Sequence, residues 1–488
     1  MKFNSDSRLV NVYIPIFLFL VGFIWKLSFI EYRDICNDEP FTIFNAQKSA
    51  AEIIGLAANN EPTPPLFMLL LHFWIKLFGI SPLSVRFLPL LFNSLTTVFI
   101  YLAGKRFISL WTGIFASVIF LLSNYHFIYG LETRTYSLFY LATAASLYFY
   151  LCYAENTRNY KALTGLIISN LVLVYSHHFG WFVIIMQVLS RYYYSKDLKT
   201  HYRLLIPVGA TIIGFAPMLP VMIRQFFFKA DRGTWLTPPA HNAYIHELYY
   251  FFNHKNVFMV ILAVLALGLI FTLVMIIRRR WKGFDKNVIV LLQWWIVPYT
   301  VMFIVSYKMP MFNNKYLLFN SIGLYLFIGA AISLLYQKNR YLEPAMGLAI
   351  LISMVVYMRV LPKDLAHREV KNSVEYVKNA ENDKSIVILY PAWSDFQFSY
   401  YYNRDFFKDY INYYEILKKN GIYRVWGLPN TRSVIAGNPD KRIILIQDGA
   451  YHERDSSIFG YLNTRYEKLD SAHFPMTINV AVYDPKPK

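Results

Sequence analysis

Long apolar runs separated by short polar segments occupy the first 361 residues of the chain. A helix needs about 20 apolar residues to cross a bilayer. This pattern predicts an all-α polytopic membrane domain of about eleven transmembrane helices. The first run is long and no A-x-A-like cleavage site follows it, so we expect a retained span. The predicted spans are 10–30, 86–104, 110–128, 136–154, 162–176, 179–195, 204–223, 256–277, 287–306, 316–336 and 342–361.

A further apolar run, 64–79, is short for a span and carries His72 and Lys76. Charge decides how we interpret it. If this run is an interfacial helix and the N-terminus is cytoplasmic, the basic segments all fall on the cytoplasmic side, as the positive-inside rule requires. If the run crossed the bilayer, each later basic segment would lie outside. The basic segments are 104–107, 155–161, 191–203, 278–286 and 337–340.

This topology places four stretches outside the membrane and the C-terminus with them. The stretches are 31–85, 129–135, 224–255 and 307–315. After Leu361 the chain becomes polar, with HREVKNSVEYVKNA as an amphipathic helix and SIVILY, RIILIQD and TINVAVYD as buried strands. We therefore predict a transmembrane domain over 1–361 and a small extracytoplasmic α/β domain over 362–488.

Composition agrees with the membrane class. The chain is 56% hydrophobic, 18% aromatic and only 16% charged, against about a quarter charged in soluble domains. The net charge is +18, but residues 362–488 hold 18 Lys/Arg against 16 Asp/Glu. The excess therefore marks membrane loops and does not form a nucleic-acid surface. The two cysteines lie in different segments and form no disulfide framework. The sequence contains no Walker A motif, so ATP-driven transport has no support in this chain.

Four carboxylates lie close together after the first span: Glu31, Asp34, Asp38 and Glu39 fall within nine residues. Acids near a membrane face need a reason, because a desolvated carboxylate is costly. One interpretation is a hydrated loop that orients the first span. The other is a general base with a neighbour that binds substrate or a metal.

Basic residues lie on the same predicted side. Arg134 and Glu132 belong to YGLETRTYSLFY, Lys315 to SYKMPMFNNKYLLF, and Arg86 begins the second span. An arginine fork or a lysine point charge can bind a phosphate. The alternatives are an ion pair of Arg134 with Glu132 or with the first loop, and snorkelling anchors at Lys315 and Arg86.

Paired histidines, His177 and His178, occur in YSHHFGW, also outside. Each could bind a metal, shuttle protons or be a hydrogen-bonded interfacial side chain. Together, the outer acids and bases suit a lipid phosphate whose tail stays in the bilayer: an acid activates a nucleophile and the bases stabilise the leaving phosphate. The competing class is a lipid or glycan transporter such as a flippase, but that class needs ionisable sites near the midplane, where this chain has few acids.

An ordered set of motifs carries a resemblance to a known superfamily. The set is NDEPFTIFNAQKS, then PTPPLFMLLLHFWIKLFGIS with VRFLPLLFNSL, then GLETRTYSL, YSHHFGWFV and NNKYLLF. Over most of 1–361 the chain resembles the GT-C membrane glycosyltransferases. More narrowly, it is similar to the bacterial branch related to dolichyl-phosphate-mannose protein mannosyltransferases and lipid A aminoarabinose transferases.

The resemblance implies an inverting transfer of a single hexosyl or pentosyl unit from a polyprenyl-phosphate donor, outside the bacterial cytoplasmic membrane. The acceptor would be a lipid, a polysaccharide or a protein. Asp38 would be the base, and Glu39 would support it or orient the acceptor. Arg134 and Lys315 would contact the donor phosphate. Arg86 is a further predicted phosphate contact because of its position on the same side. A ligase that moves a preassembled glycan is the alternative within the same superfamily.

The chain departs from its relatives at two positions. Thr63 stands where relatives often have histidine before the Pro-Pro pair, with Glu61 two residues earlier, and Lys315 stands where arginine is usual. Lysine keeps the charge but loses the bidentate fork. Glu61, Glu132 and His178 are predicted contacts of the sugar or acceptor. No cofactor and no metal are predicted, although the four nearby acids would permit a divalent ion.

Overall fold

Helices make up most of the computed structural model, which describes residues 8–59, 61–194, 196–229, 236–279, 285–337, 339–358, 368–449, 456–475 and 477–486. The chain divides into two units. The helical unit comprises Met1–Ser28, Ile54–Phe67 and Arg86–Val360. The α/β unit comprises Phe29–Ile53, Met68–Val85 and Leu361–Lys488. The predicted domain boundary at 361/362 lies outside the described residues and stays a prediction.

The α-helices of the first 358 residues, in chain order, are α1 (Ile14–Leu27), α2 (Glu39–Asn45), α3 (Ala50–Asn59), α4 (Leu66–Phe78), α5 (Pro82–Phe107), α6 (Leu110–Leu122), α7 (Asn124–Tyr129), α8 (Tyr136–Glu155), α9 (Tyr160–Ser176), α10 (Gly180–Ser190), α11 (Leu198–Phe215), α12 (Leu219–Lys229), α13 (Ala243–Phe251), α14 (Lys255–Ile277), α15 (Lys286–Val305), α16 (Leu318–Leu335) and α17 (Leu342–Val356).

Seven segments of the described chain are helical, long and apolar enough to cross a membrane, and each overlaps a predicted span. The prediction of an all-α polytopic membrane domain is confirmed. The seven segments are Leu9–Leu27, Pro82–Phe107, Tyr136–Glu155, Leu198–Gln225, Lys255–Ile277, Lys286–Val305 and Leu318–Leu335.

The other four predicted spans are shorter helices. In the predicted span 110–128, helix α6 ends at Leu122 because Ser123 is extended and its hydroxyl accepts from the His126 amide to begin α7. The predicted spans 162–176, 179–195 and 342–361 correspond to α9, α10 and α17. The run at 64–79 is helix α4, whose 13 residues extend about 20 Å, less than a bilayer core. The interfacial placement of α4 and the orientation of the termini stay predictions. Residues 195, 280–284 and 338 of the basic segments are outside the described residues.

A buried polar network joins the first helices of the helical unit. The Nζ of Lys26 donates to Oδ1 of Asn93 and lies 5.7 Å from the centre of the Phe120 ring. The Nδ2 of Asn93 donates to the Tyr140 hydroxyl (2.6 Å) and to the His126 carbonyl (3.0 Å). A buried amine needs such acceptors because it has lost water. The network therefore stabilises one arrangement of α1, α5, α7 and α8.

The α/β unit contains a five-stranded sheet. The strands are β1 (Ser385–Tyr390), β2 (Ile422–Arg424), β3 (Arg442–Asp448), β4 (Tyr466–Phe474) and β5 (Ile478–Pro485). Their order in the sheet is β2-β1-β3-β5-β4. Strands β1, β2 and β3 are parallel, β5 is antiparallel to β3, and β4 is antiparallel to β5. The helices after residue 368 are α18 (Val370–Ala380), α19 (Asp395–Tyr402), α20 (Tyr413–Lys419), α21 (Leu428–Ala436) and α22 (Ser456–Arg465).

The three strands predicted from the sequence are β1, β3 and β5, and the small C-terminal α/β fold is confirmed. Strands β2 and β4 escaped prediction for physical reasons. Strand β2 has only three residues, and β4 is a mostly exposed edge strand, so it has no continuous apolar run. The predicted amphipathic helix is α18, and His367 of its predicted range lies outside the described residues.

Part of the first predicted loop packs into the α/β unit through an aromatic cluster. Phe44 of α2 lies 4.5 Å from Phe396, 4.8 Å from Tyr413 and 5.2 Å from Phe407, measured between ring centroids. Such contacts add to the free energy of burying each ring. The segment that follows Asp38 is therefore a packed part of this unit and not a hydrated loop.

Hydrogen bonds attach the residues before Asp38 in the same way. The Ile35 amide donates to the Tyr401 hydroxyl (2.6 Å). The Lys371 amide, in the first turn of α18, donates to Oδ2 of Asp34 (2.8 Å). A carboxylate at this position satisfies an amide without an intrahelical partner and interacts favourably with the helix dipole. Asp34 thus has a structural role.

Candidate functional site

The predicted site residues divide between the two units. Asp38 and Glu39 belong to the α/β unit, and the others belong to the helical unit. All of them lie among the described residues. The helical-unit residues are Glu61, Arg86, Glu132, Arg134, His178 and Lys315.

Arg134 lies in the short segment between α7 and α8, where its amide donates to the Glu132 carbonyl (2.7 Å). Its Nη2 is 4.0 Å from Oε1 of Glu61, and the two side chains are 14% and 10% exposed. This ion pair connects Arg134 with the first predicted loop, which is one of the interpretations that the sequence left open. At 4.0 Å the contact is longer than a hydrogen bond.

His178 is a hydrogen-bonded side chain. Its Nε2 lies 3.0 Å from Oε1 of Gln225, and Nε2 of Gln225 donates to the carbonyls of Ala57 (3.0 Å) and Glu61 (2.9 Å). Gln225 therefore joins the α9–α10 turn to the end of α3. Burial lowers the pKa of His178, which favours the neutral ring. The described residues contain no group of three His, Cys, Asp or Glu side chains that could hold a metal ion.

His177 belongs to an aromatic wall that it forms with Phe139 of α8 and with Tyr316. Its ring stacks on Phe139 with centroids 4.9 Å apart and lies 5.7 Å from the ring of Tyr316. The Phe179 amide donates to Nδ1 (3.2 Å). The ring is therefore held by stacking on one side and by a backbone hydrogen bond within its own turn.

Two cations lie close enough to His177 to affect its protonation. Burial is the largest cause that lowers the pKa of this ring to about 3. The neighbouring His178 and the positive charges of Arg134 and Lys315 lower this pKa further. Arg134 and Lys315 therefore share a neighbourhood in which the histidine is neutral. This arrangement concentrates positive charge beside an aromatic wall, which suits an anionic ligand.

The backbone around Lys315 is fixed by two asparagines. The Lys315 amide donates to Oδ1 of Asn313 (3.2 Å) and of Asn314 (2.6 Å) in a short 3-10 turn. Oδ1 of Asn314 also accepts from the Tyr129 hydroxyl (3.2 Å), which lies near the end of α7. The Lys315 Nζ is 5.7 Å from the centre of the Tyr316 ring. The motif NNKY thus presents a lysine from a turn whose position is set by its own side chains.

Protonation of His177 predicts a pH dependence of stability. Its folded pKa lies below its ordinary value of 6.5, so the unfolded chain binds more protons between about pH 3 and 6.5. Stability is complete above this window and falls as the pH decreases through it, by up to about 1.4 kcal/mol per pH unit. We expect His177→Asn, which keeps an acceptor but does not titrate, to flatten the decline. Thermal unfolding in detergent from pH 4 to 7 measures it, and parallel curves would contradict the prediction.

Arg86 is the fifth residue of α5 and only 3% exposed. This burial argues against an anchor that snorkels to the membrane surface, since snorkelling requires an exposed head group. Glu132 is half-buried in the same segment as Arg134. Buried or half-buried charges are stable only with polar partners. Their predicted roles in donor and sugar binding stay predictions.

Asp38 directly precedes α2 in the α/β unit. Its carbonyl accepts from both the amide (3.2 Å) and the hydroxyl (3.0 Å) of Thr42. Its side chain is half-buried and makes no capping hydrogen bond to α2. Glu39 begins the helix, is buried, and donates its amide to the Cys36 carbonyl (3.2 Å). The helix thus fixes the backbone of Asp38 without using its carboxylate as a cap.

Sequence reasoning missed the residues that hold these segments in place. Gln225 is more than 160 positions from its partners Ala57 and Glu61. Arg368 is 331 positions from Asn37, whose Oδ1 it contacts. No local periodicity signals such pairs, because they depend on how distant segments pack.

The chain is similar to known proteins in its fold and in part of its sequence. The family model described as Dolichyl-phosphate-mannose-protein mannosyltransferase matches residues 62–223. This range includes Arg86, Glu132, Arg134 and His178. No curated protein matches the sequence.

Two solved structures share the fold. ArnT from Cupriavidus metallidurans, bound to undecaprenyl phosphate, has a TM-score of 0.61 at 10% identity over 98% of each chain. The oligosaccharyltransferase AglB from Archaeoglobus fulgidus, in complex with an inhibitory peptide and a dolichol-phosphate, has a TM-score of 0.51 at 10% identity. That match covers 90% of this chain and 70% of AglB. These likenesses confirm the predicted fold class.

Proposed function

We propose that this chain, which has the fold of the GT-C glycosyltransferases, transfers one sugar from a polyprenyl-phosphate donor to an acceptor. The observation that carries the proposal is that two cations, Arg134 and Lys315, lie near the same neutral histidine, His177, whose ring is 5.7 Å from that of Tyr316. Two cations beside an aromatic wall suit the phosphate of a diester donor and of the monoester that leaves. The undecaprenyl phosphate bound by ArnT supports a ligand of this kind.

The reaction is an inverting displacement at the anomeric carbon of the donor. The acceptor hydroxyl or amine attacks that carbon, and Asp38 takes the acceptor proton. A bond forms between the acceptor atom and the anomeric carbon. The bond from that carbon to the phosphate oxygen breaks, and its electron pair leaves with the polyprenyl phosphate. Glu39, which is next to the base and buried, supports it or orients the acceptor.

Charge on the leaving phosphate is stabilised by Arg134 and Lys315, with Arg86 as a further contact. Cations that are already in place when negative charge develops lower the barrier. Lys315 contributes a point charge without the planar fork of arginine, so Arg134 carries the directional part of recognition. Glu61, Glu132 and His178 contact the sugar or the acceptor, and Glu61 also fixes Arg134 through their ion pair.

The site faces the extracytoplasmic side of a bacterial cytoplasmic membrane, with the N-terminus in the cytoplasm. The basic segments between spans support this orientation through the positive-inside rule. The donor carries a hexosyl or pentosyl unit on a polyprenyl phosphate. The acceptor is a lipid, a polysaccharide or a protein of the cell envelope.

A deletion strain tests the function. We expect mass spectrometry of its lipids to show accumulation of one polyprenyl-phosphate sugar and loss of one glycan product. The wild-type gene should restore the product and the Asp38→Asn gene should not. Accumulation of a preassembled lipid-linked glycan would instead indicate a ligase, and unchanged glycolipids would contradict both enzymes.

A second assay distinguishes a transferase from a flippase. The accumulated donor, labelled in the sugar and extracted from the deletion strain, is mixed in detergent with purified protein and acceptor-bearing membranes of that strain. A transferase moves the label to the acceptor although no sealed bilayer separates two sides. No transfer above the protein-free control would contradict the proposed enzyme.

A further inference from the structure

A chain of buried polar contacts joins the end of strand β3 to the turn before Asp38. Arg368 forms an ion pair with Asp448, the last residue of β3, and their side chains are 4% and 1% exposed. The Nη1 of Arg368 also donates to Oδ1 of Asn37 (2.9 Å). Gln397 donates its side-chain amide to the same Asp448 carboxylate. These residues all belong to the α/β unit, so the arrangement is internal to one compact body.

The contacts lie at the edge where the carboxyl ends of the parallel strands meet. Asp448 ends β3, and Arg424 ends β2 and forms an ion pair (2.7 Å) with buried Asp395, which follows β1. In open α/β sheets this edge is the usual place for a ligand. Here the edge receives Asn37, a residue of the same chain. The carboxyl edge of this sheet therefore binds, through Arg368, the segment that contains Asp38.

The backbone at Asn37 explains what the contact controls. Asn37 has a φ of +56°. This value lies in the left-handed region, which residues other than glycine, asparagine and aspartate rarely adopt. A residue keeps this conformation when its surroundings hold it there. Because Asp38 is the next residue, the dihedral angles of Asn37 set the direction in which the Asp38 side chain leaves the backbone.

The segment is anchored on both sides of this turn. Before it, Asp34 and Ile35 are held by Lys371 and Tyr401. After it, Thr42 closes the first turn of α2 on the Asp38 carbonyl. The conformation between these anchors depends on the turn at 37–38, which is where Arg368 makes its contact.

We propose that Arg368, held by Asp448, is a positioning residue that fixes the turn at Asn37 and thereby aims the carboxylate of Asp38 at the acceptor. This inference rests on the proposed function, in which Asp38 is the base. If Arg368 positions Asp38, the α/β unit contributes directly to catalysis by the transferase. A catalytic group that is displaced by about 1 Å can lose roughly a hundredfold in rate, so the contact is expected to affect turnover more than donor affinity.

The test changes the acceptor of the hydrogen bond and leaves the buried ion pair intact. In Asn37→Gly the left-handed turn remains allowed, but Oδ1 is lost. We expect kcat to fall roughly 10- to 100-fold with the KM for the donor changed less than about twofold. The assay uses the labelled donor extracted from the deletion strain and membranes of that strain as the acceptor. Asn37→Asp supplies a carboxylate oxygen to the same Arg368 N–H groups and should restore kcat to near the wild-type value.

Arg368→Ala and Arg368→Lys extend the series. The alanine variant removes the cation that pairs with buried Asp448 and is therefore expected to be less stable. Its thermal unfolding is measured together with its activity. The lysine variant keeps the charge but cannot contact Asp448 and Asn37 with a planar fork. Its kcat should lie between those of wild type and Asn37→Gly.

A matched control lies at the opposite end of the same strand. Arg442, the first residue of β3, forms a bidentate ion pair with Asp484 (2.8 and 2.9 Å). Arg442→Ala removes an ion pair of the same residue types, although a more exposed one, from the same unit but none of the contacts of Asn37. We expect it to lower the unfolding temperature and to leave kcat within about twofold, because this pair holds the sheet and not the turn.

The outcomes separate this inference from the proposed function. Full kcat in Asn37→Gly, a loss confined to KM, failure of Asn37→Asp to restore kcat, or an equal loss in Arg442→Ala would each overturn the positioning role. Asp38→Asn is measured in the same assay. An active Asp38→Asn protein would overturn the assignment of the base. If Asp38→Asn is inactive and Asn37→Gly is fully active, only the positioning role fails.

Discussion

Replacement of Asp38 by asparagine is expected to lower the rate of sugar transfer by about 10²- to 10⁴-fold and to leave donor binding nearly unchanged. Asparagine has the shape of aspartate but cannot accept a proton from the acceptor. The backbone contacts of Asp38 with Thr42 involve its carbonyl, so the substitution leaves them in place. Initial rates with labelled donor and equilibrium binding of undecaprenyl phosphate to the purified protein measure the two effects.

Neighbouring acids provide the controls for this experiment. Glu31 is exposed, and Asp34 accepts the Lys371 amide at the start of α18. Glu31→Gln should retain full activity. Asp34→Asn keeps an acceptor oxygen and should retain most of it. Wild-type transfer by Asp38→Asn would contradict the assignment of the base, and an equal loss in Glu31→Gln would show that net charge and not proton transfer explains the effect.

Replacement of Arg134 by alanine is expected to weaken binding of the donor phosphate by about 10- to 100-fold, since hydrogen bonds to charged groups contribute about 1.5–3 kcal/mol. The rate at saturating donor should fall less. Arg134→Lys keeps the charge without the fork and should give an intermediate affinity. Titration of the purified protein with undecaprenyl phosphate measures binding directly. Unchanged affinity in Arg134→Ala would contradict the phosphate role.

The Arg134–Glu61 ion pair offers an alternative explanation for a loss of affinity in Arg134→Ala. One further variant tests this alternative. If Arg134 served only to neutralise Glu61, the double variant Arg134→Ala/Glu61→Gln would recover the affinity, because no carboxylate would be left without its cation. If Arg134 contacts phosphate, the double variant should bind as weakly as Arg134→Ala. The coupling between the two substitutions separates these roles.

Hydropathy predicted the class of the protein because membrane insertion depends on local composition. Seven of the predicted spans coincide with helices long enough to cross, and the apolar runs of β1, β3 and β5 were predicted as strands. Local composition was less informative at the ends of elements. Ser123 interrupts one predicted span, and β4 lies at an exposed edge, so neither feature follows from how apolar the surrounding segment is.

The acidic segment shows what the sequence could not decide. Four carboxylates within nine residues fitted a hydrated loop as well as a site. In the structure Asp34 supports α18, Phe44 packs among aromatic residues, and Asn37 contacts Arg368. The partners are hundreds of residues away, and their contacts arise only when the chain folds. The different roles of neighbouring carboxylates therefore come from packing.

The charges of the candidate site were visible in the sequence, and their neighbours were not. The type and order of Asp38, Arg134 and Lys315 along the chain were enough to suggest acid–base chemistry on a phosphate, since charge and hydrogen-bonding capacity belong to the residue itself. Only the tertiary structure brought Arg134 and Lys315 near the same His177 and attached the turn at Asn37 to Arg368. Distance, burial and orientation are properties of the folded chain, and they determine what those charges can do.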